Sequence, residues 1–152
     1  MVRVQLDSVI KRPAEDVFER LTNISDYSKW MPRSGVFIKS EKTSAGPLEK
    51  GSKYYDKGRM GTFRGEVSDF EKPSRVAFRE TLSWFGKRVM EARPAYVLKT
   101  VDGGTQVHHV SEGQLYGIFK LMQPMTAVIA RGERKRVVKA LKMSLETAPR
   151  NN

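Results

Sequence analysis

Two side chains in this sequence have the types and settings for acid–base chemistry. In "RVAFRETLSWF" strand alternation groups Glu80 with Val76, Phe78, Leu82 and Trp84, while Arg75, Ala77, Arg79, Thr81 and Ser83 take the opposite face. A carboxyl group on an apolar face can act as a general acid, a general base or a hydrogen-bond anchor. The plainer alternative is a carboxylate paired with Arg93 or another cation, or one at a wet rim. In "TQVHHVSEGQL" the same alternation turns His109 inward with Thr105, Val107, Ser111, Gly113 and Leu115. His109 can exchange a proton with a ligand hydroxyl near neutral pH, or it can be a hydrogen-bonded core histidine. Together Glu80 and His109 would suit a cyclase, dehydratase or hydrolase-like reaction.

His108 and His109 cannot form a metal pair, because neighbouring strand residues point to opposite faces. With no cysteine and only two histidines, no transition-metal site and no cofactor are expected. Nucleophile motifs and phosphate-binding loops are absent; Gly58, Gly61 and Gly65 have the wrong spacing and read as turns and bends. Around Glu80 and His109, the residues Tyr54, Asp56, Phe78, Trp84, Met90, Tyr96, Met122 and Met125 complete a pocket lining. Aromatic and methionine side chains suit an adaptable apolar pocket, although each alone also reads as core. Trp30 and Met31 are expected to pack short helices rather than touch a ligand.

The elements that must hold these residues follow from pattern. "VRVQLDSVI" alternates as a half-buried strand. In "RPAEDVFERLTNISDYSKWMP", Pro13 suits a first helical turn, and Glu15 and Asp16 complement the positive helix end. Asn23 or Ser25 can cap a second short helix that Pro32 must stop. Six strands follow: "VFIKSEKT", "SKYYDKGRM", "TFRGEVSDFE", "RVAFRETLSWF", "RVMEARPAYVLKTV" and "TQVHHVSEGQL". Lys72-Pro73-Ser74 and Asp102-Gly103-Gly104 are turn signals.

A long helical region from about Gly117 to Thr147 closes the chain, with Pro124 setting "GIFKLMQ" apart as a turn or kinked first segment. Ile118, Leu121, Met122, Met125, Val128 and Ile129 form its first apolar side, expected to cover something apolar. Val137, Ala140, Leu141, Ser144 and Leu145 form a rotated second side, expected to clamp a different surface. Arg131, Arg134, Lys135, Lys139 and Lys142 make a basic face opposite. One helix is about 10 Å across, too narrow to roof a curved seven-stranded sheet. Bulky side chains or a cavity must take up the remainder, and the two short helices can plug one end.

The order of elements, the opening "IKRPAEDVFERLTNISDYSKWMP" and the final long helix resemble the SRPBCC superfamily. These are the START-related, Bet v 1-like proteins, and the nearest branch is the polyketide cyclase/dehydrase and lipid-transport type. The resemblance spans essentially the whole chain and is most specific at Pro13, Ala14, Val17, Phe18, Asp26, Tyr27, Trp30 and Met31. It implies an α+β helix-grip fold: a curved seven-stranded antiparallel sheet around a long C-terminal helix, with two short helices after strand 1. It also implies a deep hydrophobic cavity between sheet and helix. Such a cavity would take a lipid, polyketide or isoprenoid-type molecule, for transport or for cyclisation, while one branch of the superfamily instead contacts a chaperone.

At 152 residues the chain, 1–152, is expected to be one domain. With no cysteine, no long apolar run and a polar N-terminus, it is expected to be cytoplasmic. Its net charge of +11 and pI near 10.0 invite an anionic partner. The basic face of the C-terminal helix suits weak contact with an anionic membrane. Nucleic acid is not expected, since the cations lack interleaved aromatic residues. Ligand exchange would require opening between the long helix and the loops near Lys42–Gly51 and Phe85–Arg88.

Overall fold

The computed structural model describes residues 1–34 and 37–147. Strand β1 (Val2–Ile10) leads into helix α1 (Ala14–Thr22) and a 3-10 segment (Ile24–Lys29). Strands β2 (Lys39–Lys42), β3 (Lys53–Gly58), β4 (Gly61–Glu71), β5 (Arg75–Trp84), β6 (Lys87–Val101) and β7 (Gly104–Leu115) follow. A second 3-10 segment (Gly117–Met122) precedes helix α2 (Gln123–Glu146). The strands form one antiparallel seven-stranded sheet in the order β1-β7-β6-β5-β4-β3-β2. This is the helix-grip arrangement of a curved sheet and a long C-terminal helix. The second strand was expected from Val36, which lies outside the described residues; β2 begins at Lys39.

Register shifts at Val67/Asp69 and Leu82/Ser83 bend the sheet, as an extra residue on one strand does. Helix α1 starts behind Pro13, carries Glu15 and Asp16 in its first turn, and buries Ala14, Val17, Phe18 and Leu21. Phe18 meets Phe70 edge-on at 5.2 Å, tying α1 to β4. The 3-10 segment buries Ile24 and Tyr27, and the Tyr27 hydroxyl donates to the Leu21 carbonyl. Thus the paired helices close one end of the trough.

Helix α2 divides as its apolar pattern does, but not with the expected result. Its second half buries Val137, Val138, Leu141 and Leu145 and packs on β1, where Lys142 Nζ donates to the Val9 carbonyl at 2.7 Å. Val138, outside the expected apolar side, joins this contact. The first apolar side of the long helical region was expected to cover apolar surface, yet Ile118, Leu121 and Met122 of the 3-10 segment and Met125, Val128 and Ile129 of α2 are all exposed. The reason is geometric: α2 is anchored at one edge strand, and its first half stands above empty volume rather than sheet.

That volume exists because the sheet has a low floor. Register aligns Val2, Gly113, Ala92, Glu80, Gly65 and Tyr54 in one row across six strands. Three members of the row have little or no side chain. A Cβ at Gly65 would overlap the Tyr54 ring, so the bare glycine lets that ring lie across β4. The Tyr54 hydroxyl thereby reaches Glu80, two strands away, and donates to Oε1 at 2.7 Å.

Two rows away the core is full, and His109 belongs to it. Leu6, His109, Tyr96, Val76 and Phe70 follow one another in register. The His109 ring is fully buried and stacks on Tyr96 at 4.2 Å, 19° from parallel. Its Nδ1 lies 2.9 Å from the Ala95 carbonyl, which assigns the proton to Nδ1 and leaves Nε2 bare and without a partner. Burial first, and the Arg134 charge second, lower its pKa from 6.5 to about 3.

Two outcomes follow. Gly65→Ala should destabilise by about 1–3 kcal/mol through overpacking. In a Tyr54→Ala background the same change should cost less, and equal costs in a denaturant double-mutant cycle would remove the ring-over-glycine packing. For His109, an unfolded histidine takes up its proton near pH 6.5 while the folded one waits until about 3. Stability must therefore fall as pH drops through that window. His109→Gln should shrink the difference in unfolding free energy between pH 7 and pH 4, and an unchanged difference would refute the buried neutral ring.

Candidate functional site

The low floor, the standing helix and the short helices enclose a cavity of about 360 Å³. Nine of the expected site residues line it: Tyr54, Asp56, Phe78, Glu80, Trp84, Met90, Tyr96, Met122 and Met125. His109 does not, for it sits behind the Tyr96 ring. The distinction is physical: strand parity decides the face of the sheet, but a second layer of side chains decides what reaches the space above it. Met31, expected only to pack the short helices, also lines the cavity, whereas Trp30 packs edge-on against Tyr27 at 5.6 Å.

The polar lining is dominated by a carboxyl pair. Glu80 lies on β5 and Asp56 on β3, one row on from the Tyr54 row. Asp56 accepts from the Ser40 hydroxyl and is hydrogen-bonded to Glu80. Burial, then the Glu80 charge, raise the Asp56 pKa well above the ordinary aspartate value. Arg93, the cation considered for Glu80, instead bonds Glu91 on the outer face at 2.6 and 2.7 Å. Glu80 forms no ion pair among the described residues and accepts from the Tyr54 hydroxyl, with the Asp56 carboxyl beside it.

Arg134 and Glu133 of α2 complete this polar wall, together with the rings of Tyr27 and Tyr96. Burial raises the pKa of Tyr27, Tyr54 and Tyr96, so all three hydroxyls remain protonated donors. The Arg134 charge lowers the pKa of Asp56 against these larger effects. Arg134 was expected on the outward basic face; it faces the cavity because α2 turns that side down where its first half leaves the sheet. Arg131, Lys135 and Lys139 are exposed.

Several lining residues escaped the sequence reading, among them Ala92, Pro94, Ser111, Met60, Phe63 and Thr126. The legible signal was smallness: Gly65, Ala92 and Gly113 are conspicuous only once register sets them side by side. The mouth is marked by residues both exposed and lining, namely Met60, Met122, Met125 and Ile129. It therefore opens between α2, the β3–β4 turn and the end of the β5–β6 hairpin. None of the residues of Lys42–Gly51 or Phe85–Arg88, the loops considered for ligand entry, lines the cavity, although Trp84 and Val89 on either side of the second loop do.

The arrangement can hold an apolar molecule by desolvation and orient a polar end against donors and one carboxylate. Comparison with known proteins places this geometry in context. Among solved structures, the fold is similar to protein MLL2253 from Mesorhizobium loti, with TM-score 0.73 and 15% identity over 97% of this chain and 99% of that one. It is likewise similar to the di-domain ARO/CYC BexL from the BE-7585A biosynthetic pathway, with TM-score 0.74 and 13% identity over 98% of this chain and 48% of BexL. The Aha1 dimer from Colwellia psychrerythraea gives TM-score 0.68 and 18% identity over 97% and 98%. At these identities the likeness concerns the fold. No curated protein matches in sequence. The profile described as polyketide cyclase / dehydrase and lipid transport matches residues 1–146, and the chain belongs to that family.

Proposed function

We propose that this protein binds a small hydrophobic molecule with a neutral polar end, of lipid, polyketide or isoprenoid type, and carries it in the cavity. One observation supports the reading most: an apolar space of about 360 Å³ has its ionisable groups gathered on one wall. The apolar body of a ligand would be stabilised by about 25 cal/mol for each Å² removed from water. Its hydroxyl or carbonyl end would meet the Asp56 carboxyl, Glu80 and the tyrosine hydroxyls. Protonated Asp56 donates and Glu80 accepts, so a hydroxyl can satisfy both at once.

A second reading, cyclisation or dehydration of a polyketide-like substrate, draws on the same pair. Asp56 keeps a transferable proton next to an acceptor carboxylate, the division of labour that general acid–base catalysis needs. His109 takes no part in this version, since the Tyr96 ring separates it from the cavity. The acid would be Asp56 and the base Glu80.

Two measurements test these readings. Ala92→Leu projects into the open floor and should weaken binding of a fluorescent acyl probe at least about tenfold while leaving the fold intact; unchanged affinity would place the ligand elsewhere. Asp56→Asn removes a carboxyl whose raised pKa means the folded protein keeps a proton that the unfolded chain has lost. The native Asp56 therefore costs stability as pH rises above the ordinary aspartate range. The variant should be more stable than the parent at pH 7 and lose that advantage near pH 3, with probe binding retained. If it binds a polyketide-like substrate but no longer turns it over, catalysis is supported; absence of turnover in the parent on every bound compound leaves the carrier.

A further inference from the structure

The mouth of the cavity carries an apolar surface that none of the described residues covers. At its edge the β5–β6 hairpin turns through Phe85 and Gly86, both with positive φ, 52° and 76°. A turn of this kind favours asparagine or aspartate followed by glycine. Phenylalanine is disfavoured there by its backbone, and its ring gains nothing from burial because it is fully exposed. Neither local conformation nor packing accounts for this residue.

Beside it, Trp84 meets Phe119 edge-on at 5.3 Å, which docks the 3-10 segment Gly117–Met122 against the hairpin. That segment and the first half of α2 then present Ile118, Leu121 and Val128, 78%, 87% and 74% exposed. These residues are continuous with the rim residues Met122, Met125 and Ile129, which line the cavity.

Charge identifies what fits this surface. No aspartate or glutamate occurs in residues 57–64, 81–90 or 113–132, the three segments that build the mouth. The β3–β4 turn contributes Arg59, the hairpin Lys87 and Arg88, and the last segment Lys120 and Arg131, all exposed. Arg88 is spoken for by Glu91 at 3.5 Å and by the Tyr116 hydroxyl at 3.3 Å. The rest form no ion pair among the described residues and add positive charge to the segments that carry the protruding apolar side chains. A second copy of the chain would bring like charges together across such a contact. An anionic lipid surface would instead neutralise the cations and bury Phe85 and Leu121.

We infer that the cavity mouth, through Phe85, Leu121 and the cations Arg59, Lys87 and Lys120, docks on anionic bilayers. The docking face is thus the apolar rim, not the basic face of the second half of α2. Docking there sets the cavity opening against the lipid, the route an apolar cargo needs to enter without crossing water. This extends the carrier reading, but its test needs no cargo.

The full-length chain is floated with phosphatidylcholine vesicles with and without phosphatidylserine, at low and high salt. Binding should require phosphatidylserine and decline with salt, because exposed charges are screened. Phe85→Asn with Leu121→Ser should weaken it about tenfold or more, and the asparagine also suits the turn, so folding is preserved. Arg59→Gln, Lys87→Gln and Lys120→Gln together should cost about fivefold per cation. Lys135→Gln with Lys139→Gln should change little. Equal binding to neutral vesicles, no effect of the Phe85/Leu121 pair, or loss of binding only in the Lys135/Lys139 variant would overturn the inference. So would a self-association in sedimentation that the Phe85/Leu121 change abolishes, since the face would then belong to a second copy. Ala92→Leu should leave vesicle binding unaltered, which separates failure of docking from failure of the cavity.

Discussion

The absence of side-chain mass at Gly65, Ala92 and Gly113 is the constraint on which the rest of this structure depends. These positions lie in one register row with Glu80 among them, so the middle of the inner face is low, whereas the row of His109, Tyr96 and Val76 two rows away is filled. A close-packed interior would otherwise reach the underside of α2. Because Gly65 has no Cβ, the Tyr54 ring can cross a strand and place its hydroxyl on Glu80. One row thus creates the volume and also orients the carboxylate within it.

The electrostatics of the cavity follow from that placement. Two carboxyl groups that share a poorly solvated wall cannot both ionise cheaply, so burial and the Glu80 charge raise the Asp56 pKa while the Tyr54 hydroxyl donates to Glu80. Arg134 moderates the excess of negative charge from the helix side. Such a pair costs stability near neutral pH, in contrast to Glu91, whose carboxylate on the outer face meets Arg79, Arg88 and Arg93.

Much of this was legible in the chain. Alternation in β5 and β7 assigned Glu80 and His109 to the inner face, because a strand with one buried face leaves little freedom of register. Pro13, Glu15 and Asp16 marked α1, and Pro124 separated the 3-10 segment from α2. The mismatch between one helix and a curved sheet left a gap for bulky side chains or a cavity to fill, and the family resemblance implied the cavity. The same reasoning faltered at depth. His109 and Glu80 share a parity, yet one lies under Tyr96 and the other faces open volume. Periodicity reports a direction, not what stands in the way.

The long helix marks the boundary most clearly. Its sequence determined two apolar sides, rotated from one another, since 3.6 residues per turn assign every side chain an angle about the axis. Only the tertiary structure decided that the second side grips β1 while the first projects over the cavity and into solvent, and that Arg134 points down among the carboxyls. Those outcomes depend on where the helix axis is anchored. That anchor is set by contacts between residues more than a hundred positions apart, such as Lys142 with Val9, which no local pattern encodes.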